Sequence, residues 1–377
     1  MNTKTIVLFV ALLATLYPTI LLSAPVPTSG RTPKTHVSPP GESLVLDPAS
    51  GDYTITYADN AGNLHQAKFV PATKIAPVVS SAFQLNDNGI IAYRYTIANG
   101  MGAKQPITLI GIYNISSFYY NQPLPPYLSG ATLQEGLAVS KIWNAPIVTP
   151  DRWQGDAAPD FDHASMVRAG WSFPTEAYPN EKSHIGVAPG EIQAGFGFVS
   201  RDLPGIGQVK LWGETSIDEG YDDEGPLPWS VVGNQLYVLE TNNFVLRNVA
   251  APTIAVLNPF DAAVLLESIQ TQMHTWIDKQ LLDATFSSQL DRSFQSAISA
   301  YRLNQPKVGK KEIQTMRELI KKEQPDLGRD EEHESNKGHE KNDDRKSQSA
   351  LIDRLAARVL DFDLEYVTKH AGRDKDN

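Results

Sequence analysis

A chain of 377 residues with no cysteine and a net charge of −10 has no disulfide staple, no thiolate metal site and no cysteine nucleophile. The acidic balance argues against nucleic acid as a partner, because gripping a phosphate backbone needs a basic face that displaces counterions. At this length burial alone is enough to hold a core.

The chain opens with Lys4, an apolar run from Ile6 to Leu22, and then Ser23, Ala24 and Pro25. Charged, apolar and small residues in that order predict a secretory signal over residues 1–24 and an extracytoplasmic location: periplasm, cell surface or medium. The run is short for a bilayer crossing, so no membrane span is expected after cleavage; a retained N-terminal anchor is the alternative. Residues 25–43 hold Pro27, Pro33, Pro39 and Pro40 among small polar residues and read as an extended spacer.

From 44 to 257 short β-type runs alternate with turn residues, which predicts a mainly β chain built as an antiparallel β-sandwich of one or two units. Tyr53–Tyr57 and Leu64–Val70 flank a turn-rich stretch and read as a hairpin. Along Ile90–Ala98, Ile91, Tyr93, Tyr95 and Ile97 fall on one face. Ile107–Ile115 is apolar on both faces and is expected in mid-sheet, covered on both sides. Further strands are expected at Ser165–Phe173, His184–Ala188, Ile192–Ser200, Gln208–Glu214 and Gln235–Glu240.

Charge density changes at Asn258: the first 258 positions hold 35 charged side chains and the last 119 hold 41. Asn258-Pro259-Phe260-Asp261 reads as a helix start with Asn258 as N-cap, and residues 258–327 as a helical region. Leu266, Ile269, Met273, Trp276 and Ile277 make one stripe, and Phe286, Leu290, Phe294, Ile298 and Tyr301 another. A third helix is expected from Lys310 to Glu323. Residues 328–348 have the composition of a disordered charged linker, and 349–371 of a last amphipathic helix.

No complete catalytic spacing is present, neither a nucleophile elbow nor a zinc helix nor a phosphate loop. Four constellations remain. Asp218, Glu219, Asp222, Asp223 and Glu224 share one loop, which reads as a solvated acidic loop or, alternatively, as oxygen ligands for calcium; no other cofactor is expected. Asp156, Asp160, Asp162 and His163, with His184, fit an ordinary polar loop, a carboxylate pair for glycan hydrolysis, or a metal site. Phe118, Tyr119, Tyr120 and Tyr127 either close one end of the sandwich or hold a polysaccharide or peptide. Trp143, Trp153, Trp171, Trp212 and Trp229 carry the same two readings, with core preferred.

Leu351, Leu355, Val359, Phe362 and Tyr366 form the seam of the last helix, which either docks on a partner or folds back on the other helices. Asp353, Asp361, Asp363 and Glu365 interleave with its basic residues and disfavour insertion at a membrane surface.

Ala188-Pro189-Gly190, followed by Gly195-Phe196-Gly197-Phe198-Val199-Ser200 and Leu203-Pro204-Gly205, resembles a recurring pattern in exported bacterial proteins with a β-sandwich domain. The tail from Ile352 to Asp363 is similar to C-terminal segments of such proteins. The resemblance implies fold and location and no reaction. The expectation is an exported, non-catalytic sandwich that binds an envelope protein or polymer, with the helical tail as an assembly element. The alternative is a glycan or envelope-polymer hydrolase using loop carboxylates.

Overall fold

The computed structural model describes residues 40–59, 61–86, 89–115, 137–139, 146–159, 167–173, 185–214, 226, 230–242, 244–327 and 350–371. Its strands are β1 (Ser43–Leu46), β2 (Tyr53–Ala58), β3 (Leu64–Phe69), β4 (Pro77–Leu85), β5 (Ile91–Asn99), β6 (Ile107–Ile115), β7 (Leu137–Val139), β8 (Pro146–Val148), β9 (Gln154–Pro159), β10 (Val167–Ser172), β11 (Ile192–Ser200), β12 (Leu203–Gly213) and β13 (Val245–Ile254). The helices are α1 (Val231–Asn242), α2 (Ala262–Asp278), α3 (Ala284–Arg302), α4 (Pro306–Glu323) and α5 (Arg354–His370).

Two antiparallel sheets, ordered β13-β12-β6-β10-β9 and β4-β5-β11-β8-β7, form the sandwich, with β1-β2-β3 as a smaller third sheet. The period-two pattern of β5 is realised: Ile91, Tyr93, Tyr95 and Ile97 are buried. They meet Trp171 of β10 and Phe196 and Phe198 of β11 in an aromatic cluster, with Trp171 and Phe196 edge to face at 5.7 Å. Gly197 lets β11 lie close to β5, since a Cβ there would stand 2.5 Å from the Tyr93 carbonyl oxygen.

Hydrogen bonds join the two sheets as well as apolar contact. The Tyr95 hydroxyl donates to the Ala250 carbonyl at 2.9 Å, the Ala250 N–H donates to Ser81 Oγ at 2.9 Å, and Trp171 Nε1 donates to the Val148 carbonyl at 3.0 Å. Each buried donor thereby finds an acceptor on the facing sheet. β6 does sit mid-sheet, between β12 and β10, but its second face is not closed along its whole length. Ile110 and Ile112 are buried, whereas Leu109 on the other face is 40% exposed.

The small sheet is the predicted hairpin plus β1. Asp59 organises its turn: one carboxylate oxygen accepts from the N–H groups of Ala61 and Asn63 at 2.9 and 2.8 Å, and the other from His65 Nε2 at 2.8 Å. These bonds, that from His65 foremost, hold its carboxyl below the usual range. Gln235–Glu240, expected as a strand, is instead part of helix α1. Val232, Leu236 and Leu239, at helical steps of four and three, pack on Ile55, Tyr57 and Phe69, and the Ser230 hydroxyl caps the helix by accepting from Gly233 N–H at 2.9 Å. The local alternation around Leu236 and Val238 imitates a strand. Of His184–Ala188, only an isolated bridge from Val187 to Ile107 forms among the described residues.

Three of the four described C-terminal helices, α2, α3 and α5, begin where an apolar residue precedes an aspartate: Phe260-Asp261, Leu282-Asp283 and Ile352-Asp353; α4 instead starts on Gln305-Pro306 with no side-chain cap. Each aspartate carboxylate accepts N–H bonds of the first turn. Asn258 is therefore not the cap of α2; the helix starts three residues later, on Asp261, because that carboxylate reaches Ala263 and Val264 N–H at 2.9 and 3.1 Å. The buried stripes of α2, α3, α4 and α5 join the sandwich interior in one continuous apolar core. Lys279 Nζ, just past α2, donates to the Ile206 carbonyl of β12 at 3.1 Å.

Candidate functional site

The most closely built constellation lies on the C-terminal segment, where sequence and geometry can be compared residue by residue. Leu282 and Ile352 form an antiparallel bridge ahead of α3 and α5. Asp283 N–H donates to the Leu351 carbonyl and Asp353 N–H to the Leu281 carbonyl, both at 2.8 Å. The two helix starts are thereby clipped together, and Gln324 at the end of α4 donates to the Ile352 carbonyl at 2.7 Å.

The predicted seam faces this chain's own interior. Val359 and Tyr366 are buried, and Leu351, Leu355 and Phe362 are half-buried against the same core. Phe362 stands edge-on to Phe83 of β4 at 5.0 Å, and Tyr366 stacks on His370 at 3.9 Å. Folding back is thus the arrangement of the seam, onto the sandwich as well as onto α2 and α4.

The outer flank of α5 is an ionic clamp. Arg317 of α4 donates from Nε and Nη2 to the two oxygens of Asp361 at 2.6 and 3.0 Å, and from Nη2 to Glu365 at 2.9 Å. The Asp361 bonds push the guanidinium up, and Lys369 together with Arg317 holds the Glu365 carboxyl down. A paired, bidentate fork at a partly closed interface is worth more than an exposed ion pair. Arg317→Ala is expected to cost about 1.5–3 kcal/mol, the worth of charge-assisted bonds, in urea unfolding. Unchanged stability would make the clamp decorative.

On the inner flank sits a residue that sequence reading passed over. Asp363, one of the acids that interleave with the basic residues of α5, is 0% exposed and neither carboxylate oxygen receives a hydrogen bond. Burial pushes its carboxyl well above the ordinary range. The signal was in the spacing: Val359, Asp363 and Val367 follow at steps of four, which puts the carboxyl in the apolar stripe.

A second charged cluster braces the small sheet. Asp52, almost wholly buried, receives Lys68 at 2.8 Å and Lys74 and Lys104 at 3.5 Å. The Lys68 bond leads in lowering its carboxyl to about 2.

The other candidates are placed as follows. Phe118, Tyr119, Tyr120 and Tyr127 lie outside the described residues, as do Asp218, Glu219, Asp222, Asp223 and Glu224. Asp160, Asp162, His163 and His184 also lie outside them; Asp156 is on β9, paired with Gly170 of β10. Trp153 and Trp171 are core; Trp212, expected there, is instead half-buried against Phe244 at 5.4 Å, and Trp143 and Trp229 are outside the described residues.

Among the described residues no three histidine, aspartate or glutamate side chains gather to hold a metal, and no helix is long and apolar enough to cross a membrane. No protein-family model matches the chain, and no curated protein matches its sequence.

Proposed function

We propose that the chain is an exported, non-catalytic binding protein that holds a protein of the cell envelope against the outer face of the β4-β5-β11 sheet. Val78, Ala98 and Ile192 are paired in register across those three strands, so their side chains share one face. The observation that carries the reading is their exposure: Val78 is 66% and Ile192 58% open, and Met101, beside Gly190 at the same end, is 89% open. An exposed aliphatic row on a sheet face that continues through Ser80, Thr96, Ala82 and Arg94 suits a protein surface better than a sugar, which favours aromatic platforms. The order of charged, apolar and small residues in 1–24 supports export.

A photo-crosslinker at Ile192 in the producing cell is expected to capture one defined partner. The pair Val78→Lys and Ile192→Lys should abolish that capture and leave the thermal midpoint unchanged, since surface changes stay within about 0.5 kcal/mol. Capture that survives both lysines would sink the assignment of this face.

A further inference from the structure

We propose that the C-terminal segment from Ala350 to Ala371 is a proton-linked clasp, which closes on the sandwich with Asp363 neutral and loosens its hold as that carboxyl ionises. The proposal is independent of the sheet surface above. Its basis is a fully buried carboxyl in a largely apolar interface. Val359, Leu360, Leu364 and Val367 are fully buried on α5, and Asp363 is buried among them with both oxygens lacking a donor. A neutral carboxylic acid is tolerated there far better than a charge with no partner.

The charged and titratable groups around α5 are committed elsewhere. On β5, the Tyr93 hydroxyl, close enough to feel the charge of Asp363, donates to the Asp202 carbonyl at 2.8 Å. Asp202, between β11 and β12, accepts from Val256 N–H at 3.2 Å, and Arg201 beside it acts on Tyr366. From α4, Arg317 and Lys321 face Asp361. From α2, Glu267 pairs with Arg302, His274 with Asp291, and Lys279 with the Ile206 carbonyl. Lys210 of β12 lies over Tyr113 and Phe244, and Arg247 of β13 donates to the Pro77 carbonyl. On α5 itself Arg358 lies over Phe83 and His370 against Tyr366. None of them donates to Asp363.

The sign follows from burial. The docked segment keeps the Asp363 proton over a pH range in which the released segment has lost it. Docking is therefore strongest at or below the ordinary carboxylate range and weakens as pH rises through the raised value. Few directional bonds oppose release: the bridge to α3, the Gln324 bond and the Arg317 clamp.

The test is amide exchange on the full chain from about pH 5 to about pH 8, with each rate divided by its intrinsic chemical rate. Protection of α5 is expected to fall with pH by up to about tenfold per unit, while that of the central strand β5 holds. Asp363→Asn, which keeps the shape and cannot ionise, should flatten the α5 profile. Arg317→Ala should lower α5 protection at every pH and keep the wild-type slope. The same slope in Asp363→Asn would overturn the proposal, and so would a fall of β5 in step with α5, because the proton would then be linked to global unfolding.

Discussion

A chain ending at Ser349, which lacks α5, should lose cooperative folding of its helical region and bind a hydrophobic dye at neutral pH. The segment removed contains Ile352, Ala356, Ala357, Val359, Leu360, Leu364 and Val367, all fully buried. Each buried aliphatic contributes about 1.5–3 kcal/mol relative to exposure, and a whole domain is stable by only about 5–15 kcal/mol. Losing this set removes a large fraction of that margin. It also uncovers the facing side chains of α2, α4 and β12, which share one core with the helix.

Supplying residues 350–371 as a separate peptide should restore the far-ultraviolet helical signal and the cooperative transition, in a manner that saturates with peptide concentration. A truncated chain that melts as sharply and as high as the full one would show that α5 adds little beyond its contacts. Cutting further back, at Asn258, would remove all the helices that share one core with Leu203, Ile206 and Ile254. A sandwich cut there is not expected to report on binding by a folded domain.

What the sequence made legible was periodicity. Alternation on β5 and the steps of four and three on α2 to α5 identify the buried faces, because each pattern is longer than a turn and only one conformation puts its apolar residues on a single side. β4 and β13 were missed for the converse reason. Their inward residues are diluted by Ser80, Ser81, Asn248 and Pro252, and β13 gains its place from hydrogen bonds to β12 and from Ser81 and Tyr95 across the sandwich. Helix α1 was misread because twelve residues with several β-branched and aromatic side chains satisfy a strand pattern locally; the choice is made by Ile55, Tyr57 and Phe69, which offer an apolar surface fitted to a helical stripe.

The clasp was half legible. Its seam stood out, and its N-cap Asp353 has the same apolar-aspartate form as Asp261 and Asp283. What sequence spacing does not carry is the surface opposite. The clip of Leu282 to Ile352 joins positions 70 apart, and the burial of Asp363 depends on what β5 and the turn before β12 bring against it. A carboxylate at a seam position was visible, but whether it faced water or protein was a property of the tertiary fold.

Trp171→Ala is expected to cost about 3–5 kcal/mol, the range for removing a large buried ring. Trp171 is fully buried at the junction of the two sheets, touching Tyr95, Phe196 and Phe198 with ring centres 6.2, 5.7 and 6.4 Å away. Its Nε1 also supplies the donor for the Val148 carbonyl, so the substitution opens a cavity and orphans an acceptor together. Trp171→Phe separates these losses: it keeps most of the ring contact, drops the hydrogen bond, and should cost about 1–3 kcal/mol. Urea unfolding should show lower midpoints in the order wild type, Phe, Ala, with an unchanged slope as long as the denatured chain exposes the same surface. Equal costs for Phe and Ala would mean that the bond between the sheets, rather than the aromatic packing, holds β10 against β8. A cost below about 1 kcal/mol for Ala would mean that the neighbouring rings collapse into the space, and the aromatic cluster would lose its place as the keystone of the sandwich.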